Sequence, residues 1–177
     1  MHYTICDFLL DLIHNSLEAG ANSVDVSFIE LPESISVVVR DNGKGMDKET
    51  VLKATDPFYT DGSKHKERKL GLGIPFLLHM IHQVNGTWQV DSVPGSGTTV
   101  SFSLPAGHID LPPTGDIPGC ILSAFCFADK EISVFRERSG KFRYTIKRSE
   151  LLEALGDLTD AGALVLAKKY LESMETE

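Results

Sequence analysis

Long apolar runs are missing from this chain, and with them any segment able to cross a membrane as a helix. A basic leader is missing too: the N-terminus carries acidic residues and no basic stretch, which argues against a secretory signal. Cysteine is sparse. Cys6, Cys120 and Cys126 make an odd number, and their spacings fit no zinc motif, so buried, reduced thiols in a cytoplasmic protein are expected. Positive charge is short as well: 17 Lys and Arg stand against 25 Asp and Glu, a net charge of -8. That balance argues against a broad footprint on DNA or RNA. A small nucleotide stays open, because it needs only local donors and a metal. What the chain does have is 177 residues, 42% of them hydrophobic, enough for one domain with a small appendage.

The segment Thr4 to Gly20, TICDFLLDLIHNSLEAG, organises the rest. At 3.6 residues per turn Ile5, Phe8, Leu9, Leu12, Ile13 and Ser16 share one side, which can bury. Thr4 with Asp7 predicts a capping box, and Gly20 a stop. Asp11 and Asn15 are four apart and stack on one flank, with Asn15 at the margin of the apolar stripe. A carboxylate and an amide there would sit in a cleft and suit Mg²⁺, a hard cation with oxygen ligands. An ordinary solvated edge is the other reading.

Alternation over Val24–Phe28 and the β-branched run Ile35–Val39 predict a hairpin of two strands. Arg40-Asp41-Asn42-Gly43-Lys44-Gly45-Met46 follows. Asp41 at a strand end can accept from an exocyclic amine, and Gly43 and Gly45 would admit a ring or a positive φ. A plain turn explains the same residues. Asp47 should cap a short helix through Ala54. Residues 60 to 70, TDGSKHKERKL, are polar and basic and read as a lid. Leu70-Gly71-Leu72-Gly73-Ile74-Pro75 enters a helix from Phe76 to Val84, a loop-to-helix join that can seat a phosphate. His79 and His82 read as ordinary core or surface histidines. Thr87–Ser92 and Thr98–Leu104 form a further antiparallel pair, with the Thr98 hydroxyl placed to face the same pocket as Asp41.

Taken in order, DLIHNSLEAGA, DNGKGM, DPFYTDG and LGLGI through GSGTT resemble the GHKL, or Bergerat-fold, ATPase superfamily over about residues 4 to 105. The later motifs look most like the histidine kinase-type ATPase domain, and NSLEAGA resembles the MutL-type repair proteins. The resemblance implies an α+β fold, a two-layer sandwich with a mixed, mostly antiparallel sheet and helices on one face. It implies ATP and Mg²⁺ as cofactors. Asn15 would hold the metal. Asp41 would meet the adenine amine, with Gly43, Gly45 and Met46 shaping the pocket and Thr98 assisting. Gly71, Leu72 and Gly73 would hold phosphates, and Phe58 would lie at the lid hinge. Asp11 stands where hydrolysing members have a glutamate base. It is one methylene shorter, which bears on hydrolysis more than on binding. No phosphoacceptor segment precedes the first helix, so any transfer is expected to go to a separate protein. An ATP-gated interaction module and a repair-type ATPase are the competing functions. Neither a nucleic-acid nor a membrane partner is expected.

These readings place an ATP-binding domain at 1–105, a Pro/Gly linker at 106–118 and an extension at 119–177 of three strands and two helices. Cys120 to Phe127 reads as a buried strand, Ile132–Arg136 and Phe142–Ile146 as a hairpin. Ser149 should cap a helix, and a last helix should start at Thr159 or Asp160. The hairpin's basic residues, Arg136, Arg138, Lys141, Arg143 and Lys147 among them, read as a solvated face or as a contact for an acidic partner.

Overall fold

The opening helix forms as its stripe predicts. In the computed structural model, which describes residues 4–56 and 73–176, α1 spans Ile5–Glu18 and buries Ile5, Phe8, Leu9, Leu12, Ile13 and Ser16 on one side. Both halves of the capping box are present: Asp7 N–H donates to Thr4 Oγ1 at 3.2 Å, and Thr4 N–H to Asp7 Oδ2 at 2.9 Å. Gly20 takes φ +78°, the left-handed turn that releases the chain into β1, Ser23–Glu30. Then come β2 (Ser34–Asp41), α2 (Lys48–Thr55), α3 (Gly73–Gln83), β3 (Thr87–Val93) and β4 (Gly97–Pro105). Phe58, Gly71, Leu72 and the expected lid over 59 to 70 lie outside the described residues.

The second half departs from expectation at one element. Residues 120–127 are helical, within α4, Ile117–Phe127; β5 (Glu131–Arg138), β6 (Phe142–Lys147), α5 (Arg148–Leu155) and α6 (Ala161–Ser173) follow. Among the described residues, those from 117 onward therefore form two strands and three helices. A short apolar run cannot by itself separate a buried strand from a buried helix. The sheet supplies the reason for a helix. Its order is β3-β4-β2-β1-β5-β6, antiparallel throughout except that β1 and β5 run parallel. Two antiparallel steps separate β4 from β1, so β4 and β5 point the same way. The chain must travel back along the sheet between them, and a packed helix is the usual carrier. The signal was present upstream: Asp116 caps α4 by accepting from Gly119 N–H at 3.0 Å, and Pro118 sits in its first turn, where a missing N–H costs nothing.

Alternation puts one sheet face inside. The row Trp88, Phe102, Val37, Phe28, Arg136, Tyr144 crosses all six strands on that face, and so does Val90, Val100, Val39, Val26, Val134, Ile146. The helices cover it, giving two layers and one continuous core from α1 to α6. The segment before α4 straps the start of α1: Ile5 N–H donates to Pro113 O and Cys6 N–H to Thr114 O, both at 3.0 Å, which satisfies two orphan donors of that helix end. α4 itself lies on α1. The Cys120 thiol reaches Cys6 O at 3.7 Å, and the His14 and Phe127 rings meet edge-on at 3.9 Å. Hydrogen bonding with Cys6 and burial push the Cys120 thiol up, so it stays protonated. Cys126 is exposed, which corrects the expectation of three buried thiols. α5 begins at Arg148 after Lys147, whose N–H donates to Glu150 at 3.1 Å, so Ser149 is not its cap. Asp160 does cap α6. Among the described residues no helix is long and apolar enough to cross a membrane.

Candidate functional site

The site grows from the end of one sheet row. Ser92 and Thr98 are direct partners on β3 and β4, and Asp41 lies on β2 one position beyond the Arg40–Thr99 pair. All three point to the helix side, toward α1. There Asp41 is 8% exposed and Ser16 5%. The Ser16 hydroxyl donates to Asp41 Oδ2 at 2.9 Å; Gly43 N–H and Thr98 N–H donate to Oδ1 at 2.8 and 3.2 Å. A buried carboxylate must be satisfied or neutralised, and here three neutral donors hold it in one orientation. Ser16 was read only as part of the apolar stripe. A hydroxyl in the middle of such a stripe signals a buried partner, but only the fold says which.

The DNGKG turn is tied back to the end of α1. Lys44 N–H donates to Ala19 O at 2.9 Å, and Asn42 Oδ1 accepts from Asn22 and Ser23 N–H at 2.8 and 2.9 Å. Gly45 has φ +63°, and a Cβ there would come 2.0 Å from Val93 O. Gly97, φ +99°, has no more room: its Cβ would sit 2.0 Å from Asp41 O. Glycine at Gly45 is thus required by the close approach of the β3–β4 turn. A Cβ on Gly43 would meet Ala19 O at 2.9 Å and Asp41 Oδ1 at 3.1 Å, so it too makes room for protein atoms.

Between this corner, α1 and α2 lies a cavity of about 600 Å³. Its walls include Asn15 and Ser16 from α1, Asp41 from β2, Gly45 and Met46 from the turn, Thr98 from β4, and Ile74 from α3. The volume is within the range of small-ligand sites, and the mix of apolar wall with a few convergent polar groups is what such sites share. Asn15 and Asp41 therefore do face one hollow. Asp11 is not among the described residues that line it. One turn before Asn15, its carboxylate packs against the start of α3, where a Cβ on Gly73 would be 2.5 Å from Oδ2. A carboxylate at a helix N-terminus is favourable in itself. His79 and His82 are exposed on α3, and no group of three or more His, Cys, Asp or Glu able to hold a metal occurs among the described residues. A metal here would need oxygens from a ligand beside the Asn15 amide.

Of the hairpin's basic residues Arg138, Lys141, Arg143 and Lys147 are exposed, and Arg136 is not. Arg136 is 2% exposed and pairs with Glu30 and, at 3.1 Å, Glu175, while Phe28 and Phe142 stack on its two sides at 5.0 and 5.1 Å. It belongs to the core.

Comparison with known proteins agrees with this geometry. Residues 4–108 match the family described as histidine kinase-, DNA gyrase B- and HSP90-like ATPase. The chain is 34% identical over 116 residues to the non-motile and phage-resistance protein of Caulobacter vibrioides, covering 61% of this chain and 14% of that protein. It is 34% identical over 108 residues to the sensor histidine kinase WalK of Bacillus subtilis, covering 57% of this chain and 18% of that one. The chain thus matches less than a fifth of the length of either relative. Among solved structures, the N-terminal domain of a DNA repair protein superposes with a TM-score of 0.55 over 91% of this chain and 58% of that one, at 16% identity, a likeness of fold. With more than half of its residues matched, from the cap of α1 to the end of β4, this chain belongs to the histidine kinase-, DNA gyrase B- and HSP90-like ATPase family.

Proposed function

We propose that the chain binds Mg-ATP in this cavity and uses it for phosphotransfer to a separate protein or for slow hydrolysis. The observation that carries the reading is that Asp41 of β2 and Asn15 of α1 line one cavity. Asp41 accepts from the adenine amine, because its carboxylate is fixed and offers lone pairs only. Thr98 lies beside it. Met46 and Ile74 supply apolar surface for the ring. Asn15 would hold Mg²⁺ through its amide oxygen, and the metal would supply charge neutralisation on the transferred group. Gly73, the first residue of α3, would offer its backbone N–H to the phosphates; Gly71 and Leu72, for which the resemblance implies the same role, and Phe58, for which it implies a lid hinge, lie outside the described residues. Asp11 acts as general base toward an acceptor hydroxyl, an imidazole or water.

The test is single-turnover ATP cleavage with γ-labelled nucleotide, run with and without candidate acceptor proteins, against Asp11→Asn. A drop of roughly a hundredfold in the variant is expected from loss of a general base. Equal rates in both proteins would remove Asp11 from the chemistry. A second reading has an observation behind it: α4 lies on α1, the helix that carries Asn15, and Pro113 and Thr114 bond to the start of that helix. In that reading nucleotide mainly changes how the extension meets a protein partner. Labelled phosphate on an acceptor separates the two.

A further inference from the structure

The hydrogen bonds around Ser92 constrain one another, because a hydroxyl has one hydrogen. Ser92 Oγ lies 2.8 Å from Met46 N, 3.2 Å from Gly97 O and 2.8 Å from Thr98 Oγ1. Met46 N–H can only donate to it. Gly97 O can only accept from it. The single hydrogen of Ser92 is then committed to Gly97, and the contact with Thr98 exists only if Thr98 donates. One assignment satisfies all three contacts. Thr98 spends its hydrogen on Ser92 and turns only lone pairs toward the cavity, which it lines. Ser16 is in the same condition, since its hydrogen goes to Asp41. Asp41 has no hydrogen to give while ionised. The three side chains at this corner are therefore all acceptors.

We propose that Ser92 is a positioning residue for base selection: by taking the Thr98 hydrogen it makes the corner accept only, so the site takes a base bearing an exocyclic amine and rejects one bearing a carbonyl there. The inference rests on the nucleotide reading of the cavity and adds a selectivity to it. Carbonyl oxygen set against lone pairs leaves both unpaired, and an unpaired buried acceptor is penalised more than a paired one is rewarded. Ser92 touches no base itself. Without it, the Thr98 hydroxyl is free to rotate and donate to a carbonyl.

The experiment is calorimetric titration with ADP and with IDP, in which a carbonyl replaces the amine and an N1–H replaces the bare N1, on the wild-type chain, Ser92→Ala and Ser92→Thr. The wild type should favour ADP. Ser92→Ala should narrow the ADP-to-IDP ratio by about tenfold, the size of one hydrogen bond gained or lost. Ser92→Thr, which keeps the hydroxyl, should restore it. A ratio unchanged in Ser92→Ala, or both affinities falling in parallel, would show that Ser92 merely supports the turn and would overturn the proposal. Should Ser92→Ala fail to fold, Thr98→Val carries the test: it removes the acceptor without creating a donor, so ADP should weaken and IDP should not gain. A gain in IDP affinity in Thr98→Val would also overturn it. Wild-type protein binding neither nucleotide would overturn the cavity reading, and this inference with it.

Discussion

Two buried polar clusters sit on the same face of the same sheet, and they are built on opposite rules. Around Arg136 every charge has a counter-charge. Glu30 and Glu175 flank the guanidinium, its Nη1 donates to Glu137 O at 2.8 Å, and Tyr144 OH donates to Glu175 at 2.9 Å. Burial and the Glu175 charge push the Tyr144 phenol up, which keeps it a donor. Thr114 OH closes the other side by donating to Glu30 at 3.1 Å. Around Asp41 the donors are a hydroxyl and two backbone N–H groups, all neutral, and a cavity opens beside them. A closed ion cluster fastens the extension to β1. A carboxylate held only by neutral donors keeps its negative charge available. The difference separates structural polarity from binding polarity within one core.

Breaking the closed cluster should have the largest effect on stability. Arg136→Ala removes the cation held between Glu30 and Glu175 and leaves only the more exposed Arg138, 3.8 Å from Glu30; loss of one partner in such a cluster costs about 3–5 kcal/mol. Chemical denaturation should show that loss. Nucleotide affinity of whatever stays folded should be close to wild type, and a proportionate loss of affinity would merge the two clusters that the comparison keeps apart.

On the binding side, Asn15→Ala should abolish the Mg²⁺ dependence of ATP affinity while leaving metal-free binding in place. Titrations at several Mg²⁺ concentrations give the slope directly, and an unchanged slope would remove Asn15 as the metal ligand. Ser16→Ala is smaller: one donor to Asp41 is lost, worth about 1 kcal/mol, or roughly a fivefold loss in affinity, with little change in folding. If the denaturation midpoint moved and affinity did not, Ser16 would belong with the structural residues.

The smallest effect is on the surface. Lys168 holds the Asp116 carboxyl below its usual range, first through their hydrogen bond, and Gly119 N–H adds to this. A depressed acid contributes stability that is present above its unfolded value and is lost as pH falls through the folded one. Lys168→Met should therefore cost at most about 1 kcal/mol at neutral pH, because the pair is partly solvated. The difference from wild type should shrink as pH falls below the ordinary carboxylate range and vanish once the depressed Asp116 carboxyl is itself protonated. A gap that persists in acid would mean Lys168 acts through its stem rather than its charge.

What could be read from the sequence follows the range of the interactions. The capping box of α1, the Asp47 and Asp160 caps and the alternating strands depend on neighbours a few residues apart, and they form close to the expected positions. Asn15, Asp41, Gly45, Met46 and Thr98 were found from ordered motifs, and they line one cavity. Ser16 and Ser92 were not singled out, since each acts through a partner on another element. Arg136 reads as a surface cation from its local sequence, because the carboxylates that pair with it stand 106 and 39 residues away. Residues 120–127 read as a strand or a helix alike from their apolar run, and only the strand order requires a return along the sheet there.

The account turns on whether the neutral-donor cluster around Asp41 is the ligand-facing one. Calorimetric titration of the chain and of Asp41→Asn with Mg-ADP tests this most directly. The amide keeps an oxygen for Gly43 and Thr98 N–H but replaces the other acceptor with a donor. The prediction is one nucleotide bound per wild-type chain, at least a hundredfold weaker binding in the variant, and thermal melting moved by no more than a few degrees. Undiminished affinity in a folded Asp41→Asn protein would contradict it.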